Sequence, residues 1–333
     1  MGIKSTVFIK RTLYPLYTHK QGAQSDVFIH STQRSGSTLL FDVIASQPKM
    51  KAIGEPFQER KQPVFGRYLQ ETRSRYVTFN QGLEGGVRHY IDDLLSGQFV
   101  GGFERTYNPR SVRHHRYSNR NTVKLLRTLE CTGWFASNYP TDNHLVLIRH
   151  PVSTVLSRVR NQWHPPIEDF LSQHTWFSGF SPEQRGLARS LAGGSPFSRH
   201  LIVWLFEHAF LSQAHQELRR RGVHLLAYEH VVTEPLKAAT WLVETLDLPR
   251  LDMAIDSIQA PSRSTRHSTS ETTNAIREGD SGELLGGWRS QVSSQELETS
   301  EMALERFGIG FYRTNQTLPQ GFLIPPPWAS YSR

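Results

Sequence analysis

The chain has 333 residues, 37% of them hydrophobic and 11% aromatic, and 38 Lys and Arg against 30 Asp and Glu give a net charge of +8. That suits a globular protein able to bury roughly three quarters of its unfolded surface, with anionic partners favoured and nucleotide, nucleic acid and acidic glycan all admissible. The single cysteine, Cys131, excludes an internal disulfide and a cysteine-rich zinc site, and it points to a reducing, cytoplasmic setting.

At the N-terminus, "MGIKST" fits the myristoylation pattern, a six-residue match that chance supplies readily. The first 20 residues carry Lys4, Lys10, Arg11 and Lys20 without the apolar stretch of a signal peptide. "DVFIHS" (26–31) reads as a strand and "STLLFDVIAS" (37–46) as a helix stopping before Pro48. "NTVKLL" (121–126) and "HLVLIR" (144–149) read as buried strands. "PVSTVLSRVRNQW" (151–163) reads as a helix with Pro in its first turn, where the missing N–H costs little. A long helix over 197–222 ends at Gly222; its apolar run Leu201–Phe206 is far short of the about 20 residues a membrane span needs. "VHLLAY" (223–228) is another strand, 234–246 another helix, and 294–308 a last helix with acids in its first half. The stretches 57–121, 164–197 and 257–287 read as irregular and are candidate lids. Strands alternating with helices predict an α/β fold with a parallel sheet.

The stretch "STQRSGSTLL" (31–40) joins the first strand to the first helix. Such a turn aims backbone N–H groups and the positive end of a helix dipole at one spot, which makes an anion site. Gly36 permits close backbone approach, Ser35, Ser37 and Thr38 offer hydroxyls, and Arg34 offers a fork of donors for phosphate. The ATP-binding pattern GxxxxGK[ST] is absent, because Ser37 follows Gly36. The bland alternative is a Ser-rich turn capping a helix. A second element, "LIRHPVSTVLS", places Arg149 at a strand end and Ser157 about two helical turns on, where both can converge on a second phosphate. A third, "AYEHVVTEP", follows the strand that ends at Tyr228.

These residues carry a family resemblance. "QRSGSTLL" resembles the 5′-phosphosulfate loop of the sulfotransferases that use 3′-phosphoadenosine 5′-phosphosulfate (PAPS), and "IRHPVSTVLS" resembles their 3′-phosphate motif. "LLAYEHVVTEPLKAATWLVETLDLP" is similar to the family's "YEDL…P" segment. "PSRSTRHST…LGGWRSQV" is similar to the C-terminal cofactor loop of the tyrosylprotein and carbohydrate branches. The elements run in family order from 27 to about 313. The resemblance implies a P-loop-like three-layer α/β fold in a single domain over 1–333, with a core of about 25–313, an N-terminal extension and a C-terminal tail. It also implies in-line transfer of a sulfuryl group from PAPS, without a metal, to a hydroxyl or amine of a carbohydrate or other small molecule.

The site residues follow from the same resemblance. Glu55, in "AIGEPF", takes the place of the catalytic base, with His30 as the substitute that the cytosolic branch suggests. Lys124, costly to bury unpaired within "TVKLL", is the candidate cation for the leaving phosphate, and Ser264 matches a transition-state-stabilising serine. The loop residues Arg34, Ser35, Gly36, Ser37, Thr38 and Leu39 would hold the 5′-phosphate, Arg149 and Ser157 the 3′-phosphate. Tyr228 would contact adenine, Arg289 would cover the 3′-phosphate, and Trp288 is either core or a stacking ring. The sequence departs from the pattern at Asn161, where a basic residue is frequent and Arg158 or Arg160 could substitute, and at His230, where an acid commonly follows "YE". The membrane anchor usual in carbohydrate branches is missing, which points to a soluble enzyme of bacterial type. Residues 105–127 hold seven Lys or Arg and no acid. They read equally as a guide for anionic substrates or as a solvated basic loop; no nucleic-acid module is seen. The rival readings are a P-loop-type kinase and a non-catalytic nucleotide- or glycan-binding protein on the same fold.

Overall fold

The computed structural model describes residues 18–57, 84–96, 117–171, 177, 179–261, 270–321 and 323–332. Five parallel strands form the central sheet: β1 (Val27–Ser31), β2 (Met50–Gly54), β3 (Arg120–Leu126), β4 (Asn143–Ile148) and β5 (His224–Ala227), in the order β2-β3-β1-β4-β5. β1, β3 and β4 are buried almost throughout, as strands covered by helices on both faces should be.

One face of the sheet carries α1 (Ser37–Ala45), with α2 (Pro235–Thr245) and α3 (Leu251–Gln259) beside it. Val27 and Ile29 of β1 pack there with Leu40, Phe41 and Ile44 of α1 and with Trp241 and Leu242. The other face holds two clusters. Phe28, Val123 and Leu125 meet Val87, Ile91 and Leu94 of the helix Glu84–Ser96 and Phe135 of the helix Thr132–Asn138. Val146 and Ile148 meet α4 (Pro151–Arg160) and the long helix α5 (Pro196–Arg220). The α/β three-layer arrangement expected from the alternation is therefore present.

The irregular stretches are less irregular than their composition suggests. They contain the helices Glu84–Ser96, Pro182–Ala192, Ser270–Glu278 and Ser281–Gly286. The second begins with a capping box in which Ser181 and Gln184 satisfy each other's backbone N–H. Past residue 313, Ile324 and Trp328 are still buried, and Trp328 donates its indole N–H to Glu234 Oε2 at 2.7 Å. No helix among the described residues is long and apolar enough to cross a membrane.

The strand order fixes where a ligand can sit. From β1 the chain runs outward through α1 to β2, returns to β3, and then crosses to β4 on the other side of β1. The connections part at the carboxyl end of β1, and in an open α/β sheet that switch point is the ligand crevice. The loop 32–36 lies there.

Candidate active site

The loop after β1 owes its shape to two left-handed residues. Gly36 has φ +90° and caps the N-terminus of α1, and Arg34 has φ +70°. Glycine takes such angles at no steric cost; arginine does not. Gly36 is also the only residue that fits, because a Cβ there would lie 2.2 Å from Cδ2 of Tyr228. The N–H groups of Arg34, Ser35 and Gly36 make no hydrogen bond to backbone or side chain among the described residues. They stand at the positive end of α1, as an anion site requires.

The serines divide. Ser35 is buried, and its hydroxyl is taken by the Thr32 carbonyl at 2.7 Å and by Ser31 Oγ at 2.5 Å. In this structure the Ser35 hydroxyl is thus engaged within the loop rather than offered to the anion site. Ser37 is buried at the first turn of α1. Thr38 is half-buried, and its Oγ1 lies 3.5 Å from Lys124 Nζ. Leu39 donates its N–H to the Gly36 carbonyl and packs against the α1 core.

Lys124 and Glu55 come together. The pairing register sets Gly54 beside Lys124, and the N–H of Glu55 continues that ladder to the Lys124 carbonyl at 2.8 Å. Glu55 takes φ +55°, which turns its carboxylate to Lys124 Nζ at 3.1 Å. The ammonium also lies over the Phe41 ring, on the α1 face of the sheet. A carboxylate and an ammonium, both largely shielded from water, thus meet beside the first turn of α1.

The second corner is joined to the first. Arg34 Nε donates to Ser157 Oγ at 2.9 Å, and Arg149 Nη1 donates to the Arg34 carbonyl at 3.3 Å. The Arg149 guanidinium rests on the Tyr228 ring at 4.4 Å, and the same ring closes on Gly36. Tyr228 is therefore wedged between loop and arginine. Burial and the neighbouring Arg149 and Arg160 lower the Arg34 pKa, a sign of positive charge crowded at this corner.

Behind Arg149 the main chain is locked. The N–H of His150 donates to Glu229 Oε1 at 2.8 Å, and Glu229 Oε2 accepts from the Tyr312 hydroxyl at 2.7 Å. His150 stacks on Trp288 at 4.6 Å, so Trp288 is core rather than an exposed stacking ring. Arg289 is exposed, donates to the Asn315 carbonyl at 2.8 Å, and is near enough to help lower the His150 pKa.

His30 does not qualify as a base. It is fully buried, its Nε2 is 3.1 Å from Nδ1 of His144, and burial holds its pKa well below the usual value. Of the two substitutes for Asn161, Arg158 is buried against Glu207, while Arg160 is exposed and bonds Gln291. His230 is buried in the last turn of its short helix. Ser264, Gly2 and residues 105–116 of the basic stretch lie outside the described residues.

Two residues of this site escaped the sequence reading. Arg127 follows β3 at φ +76° and, with Gln33 oriented to satisfy its neighbours, donates to the Gln33 side-chain oxygen from Nη2 and Nε at 2.9 and 3.1 Å. Its signal was available: "VKLLR" repeats the strand-then-arginine pattern of "LVLIR". With it, Arg127, Arg34 and Arg149 follow the carboxyl ends of the three adjacent strands β3, β1 and β4.

The family model of the sulfotransferases matches residues 26–252, which span this whole arrangement. The chain belongs to the sulfotransferase family. Sulfuryl transfer is the chemistry common to that family. Similar solved structures include a mouse sulfotransferase complexed with PAP, at 11% identity and TM-score 0.43, over 92% of this chain and 90% of that one. A sulfotransferase from Alicyclobacillus acidocaldarius is similar at 17% identity and TM-score 0.37, over 80% of this chain and 100% of that one. The sulfotransferase domain of a Synechococcus olefin synthase is similar at 14% identity and TM-score 0.39, over 86% of this chain and 98% of that one. No curated protein matches the sequence.

Proposed function

We propose that this sulfotransferase takes its sulfuryl group from PAPS and passes it to a hydroxyl or amine of a carbohydrate or other small acceptor. Glu55 is the general base, and Lys124 is the cation at the leaving oxygen. The observation that carries the reading is the 3.1 Å pair of Glu55 and Lys124 set beside the anion-binding turn of α1.

The residues fit a nucleotide with two separate phosphate positions. The free N–H groups of the loop and the Arg34 guanidinium suit the 5′ side, and Arg149 with Ser157 suits the 3′ side. When bound, the donor supplies a sulfuryl group on an activated phosphate oxygen. Glu55 accepts the acceptor's proton as the acceptor oxygen or nitrogen bonds to sulfur. Lys124 and Arg34 stabilise the charge that gathers on the phosphate as its bond to sulfur breaks. In the resting site Lys124 holds the Glu55 carboxylate, and a phosphosulfate beside Thr38 gives the ammonium a second anionic partner. The carboxylate is thereby freed to take a proton. Ser264 remains a candidate for stabilising the transferred group.

The test is transfer of labelled sulfate from PAPS to a panel of sugars, phenols, amines and lipids, with the wild type and Glu55→Gln. The wild type is expected to label at least one acceptor class, and Glu55→Gln to turn over about 10²–10⁴-fold more slowly, the usual worth of a positioned base, while still binding PAPS. Turnover by Glu55→Gln near the wild-type rate would remove Glu55 from the mechanism.

A further inference from the structure

We propose that Arg158, with Glu207 behind it, is a positioning residue that orients the phosphate-binding loop. The inference rests on the nucleotide reading above.

Arg158 sits on α4 next to Ser157, and its side chain is only 2% exposed. Its Nε and Nη2 both donate to the main-chain carbonyl of Gln33, each at 3.1 Å. Nη2 also donates to Glu207 Oε2 on α5 at 2.7 Å, and that carboxylate is equally buried. Nη1 is buried with no partner among the described residues. A buried ion pair with an orphaned donor is a poor source of stability, since apolar side chains of similar volume often serve as well or better. What this pair accomplishes that apolar residues cannot is a grip on one carbonyl.

That carbonyl belongs to the peptide joining Gln33 to Arg34. In a trans peptide the C=O and N–H point in opposite directions. Pulling the Gln33 oxygen into the protein therefore turns the Arg34 N–H outward. Arg149 does the same one peptide later, with its bond to the Arg34 carbonyl, and so aims the Ser35 N–H. Both N–H groups are among those without a partner among the described residues. Between the two gripped carbonyls, Arg34 is held at φ +70°, an angle that L-residues adopt reluctantly. From the opposite side Arg127 holds the Gln33 side chain. The loop is thus anchored by guanidiniums on its carbonyl side and left with bare donors on the ligand side.

The test compares wild type, Arg158→Lys and the double variant Arg158→Met/Glu207→Met. Calorimetric titrations use adenosine 3′,5′-bisphosphate, adenosine 5′-phosphate and adenosine 3′-phosphate, with the thermal midpoint as the check on folding. The double variant exchanges the pair for apolar volume and is expected to keep its midpoint. It should lose at least tenfold in affinity for both ligands carrying a 5′-phosphate and stay within about twofold for adenosine 3′-phosphate. Arg158→Lys keeps the charge beside Glu207 but not the fork; it should show the same selective loss, and carries the test if the double variant does not fold. Wild-type affinity for the 5′-phosphate ligands in a folded variant, or an equal loss for all three ligands, would overturn the assignment. A wild type indifferent to the 5′-phosphate would instead bring down the nucleotide reading, and this inference with it.

Discussion

Gly36→Ala should disable donor binding without touching a charged group. The new methyl would stand 2.2 Å from Cδ2 and 2.7 Å from Cε2 of Tyr228, where ordinary carbon contacts lie at about 3.5–4.0 Å. The alanine must also hold φ +90°, at a cost of roughly 1–2 kcal/mol, and overpacking adds about 1–3 kcal/mol. With an unfolding entropy of about 2.1 cal/mol/K per residue, each kcal/mol shifts the midpoint of a chain this long by roughly 1–2 °C. The variant should therefore melt a few degrees low and remain folded. The ring must yield, and the Arg149 guanidinium rests on it at 4.4 Å. Displacing Arg149 forfeits a hydrogen bond to a charged group, worth about 1.5–3 kcal/mol, or roughly ten- to a hundredfold in affinity. Calorimetric titration with adenosine 3′,5′-bisphosphate reads that loss. The double variant Gly36→Ala/Tyr228→Ala separates the causes: it should recover the overpacking part of the midpoint shift but not the affinity. Wild-type affinity in Gly36→Ala would refute the coupling of loop, ring and arginine.

Arg149→Ala is expected to weaken adenosine 3′-phosphate by about 1.5–3 kcal/mol and adenosine 3′,5′-bisphosphate by at least as much, because Arg149 also grips the Arg34 carbonyl; wild-type affinity for adenosine 3′-phosphate would mean that Arg149 does not read the 3′-phosphate. Lys124→Ala should lower turnover far more than donor affinity, because its charge matters most as the leaving phosphate gains charge; comparable losses in a steady-state and binding comparison would make Lys124 a ground-state contact. Acid should destabilise the protein through His208, whose pKa burial lowers to about 3. The unfolded chain then binds the extra proton, so stability is full above about 6.5 and is lost as pH falls toward 3. At pH 5.5 that loss is about 1.4 kcal/mol. Glu130, pushed up by burial to about 8, and Asp142, to about 6, act with the opposite sign, while His150 and His200, each lowered chiefly by burial to about 4, act with the same sign, so the wild-type profile alone mixes several groups. The stability deficit of His208→Gln relative to wild type should shrink by about 1.4 kcal/mol between pH 7.5 and 5.5; a constant deficit in urea titrations would contradict this.

Much of the site was legible because it is built from local chain. β1, its loop and α1 form one continuous segment, and so do β4, Arg149 and Ser157; apolar runs bounded by glycine or proline marked them. β2 was missed because "MKAIG" is an edge strand, with Lys51 and Ala52 only half-buried and a glycine at its end. The helix Glu84–Ser96 was hidden by Gly85 and Gly86 in its first turn. The inward turn of the Ser35 hydroxyl depends on Ser31 and Thr32, whose side of the strand no local pattern reveals. The pairing of Glu55 with Lys124 is a matter of sheet register across 69 residues of chain, and the roles of Arg158 and Glu207 depend on which way α4 rolls against α5. Such facts belong to tertiary packing.

The most direct test of donor recognition is titration calorimetry of the wild type with adenosine 3′,5′-bisphosphate, adenosine 5′-phosphate and Mg-ATP. The bisphosphate should bind most tightly, by roughly ten- to a hundredfold over adenosine 5′-phosphate, the worth of the 3′-phosphate contacts proposed for Arg149 and Ser157. ATP should gain nothing over the monophosphate, since no GxxxxGK[ST] loop is present for its further phosphates. Preference for ATP, or indifference to the 3′-phosphate, would contradict PAPS as the donor.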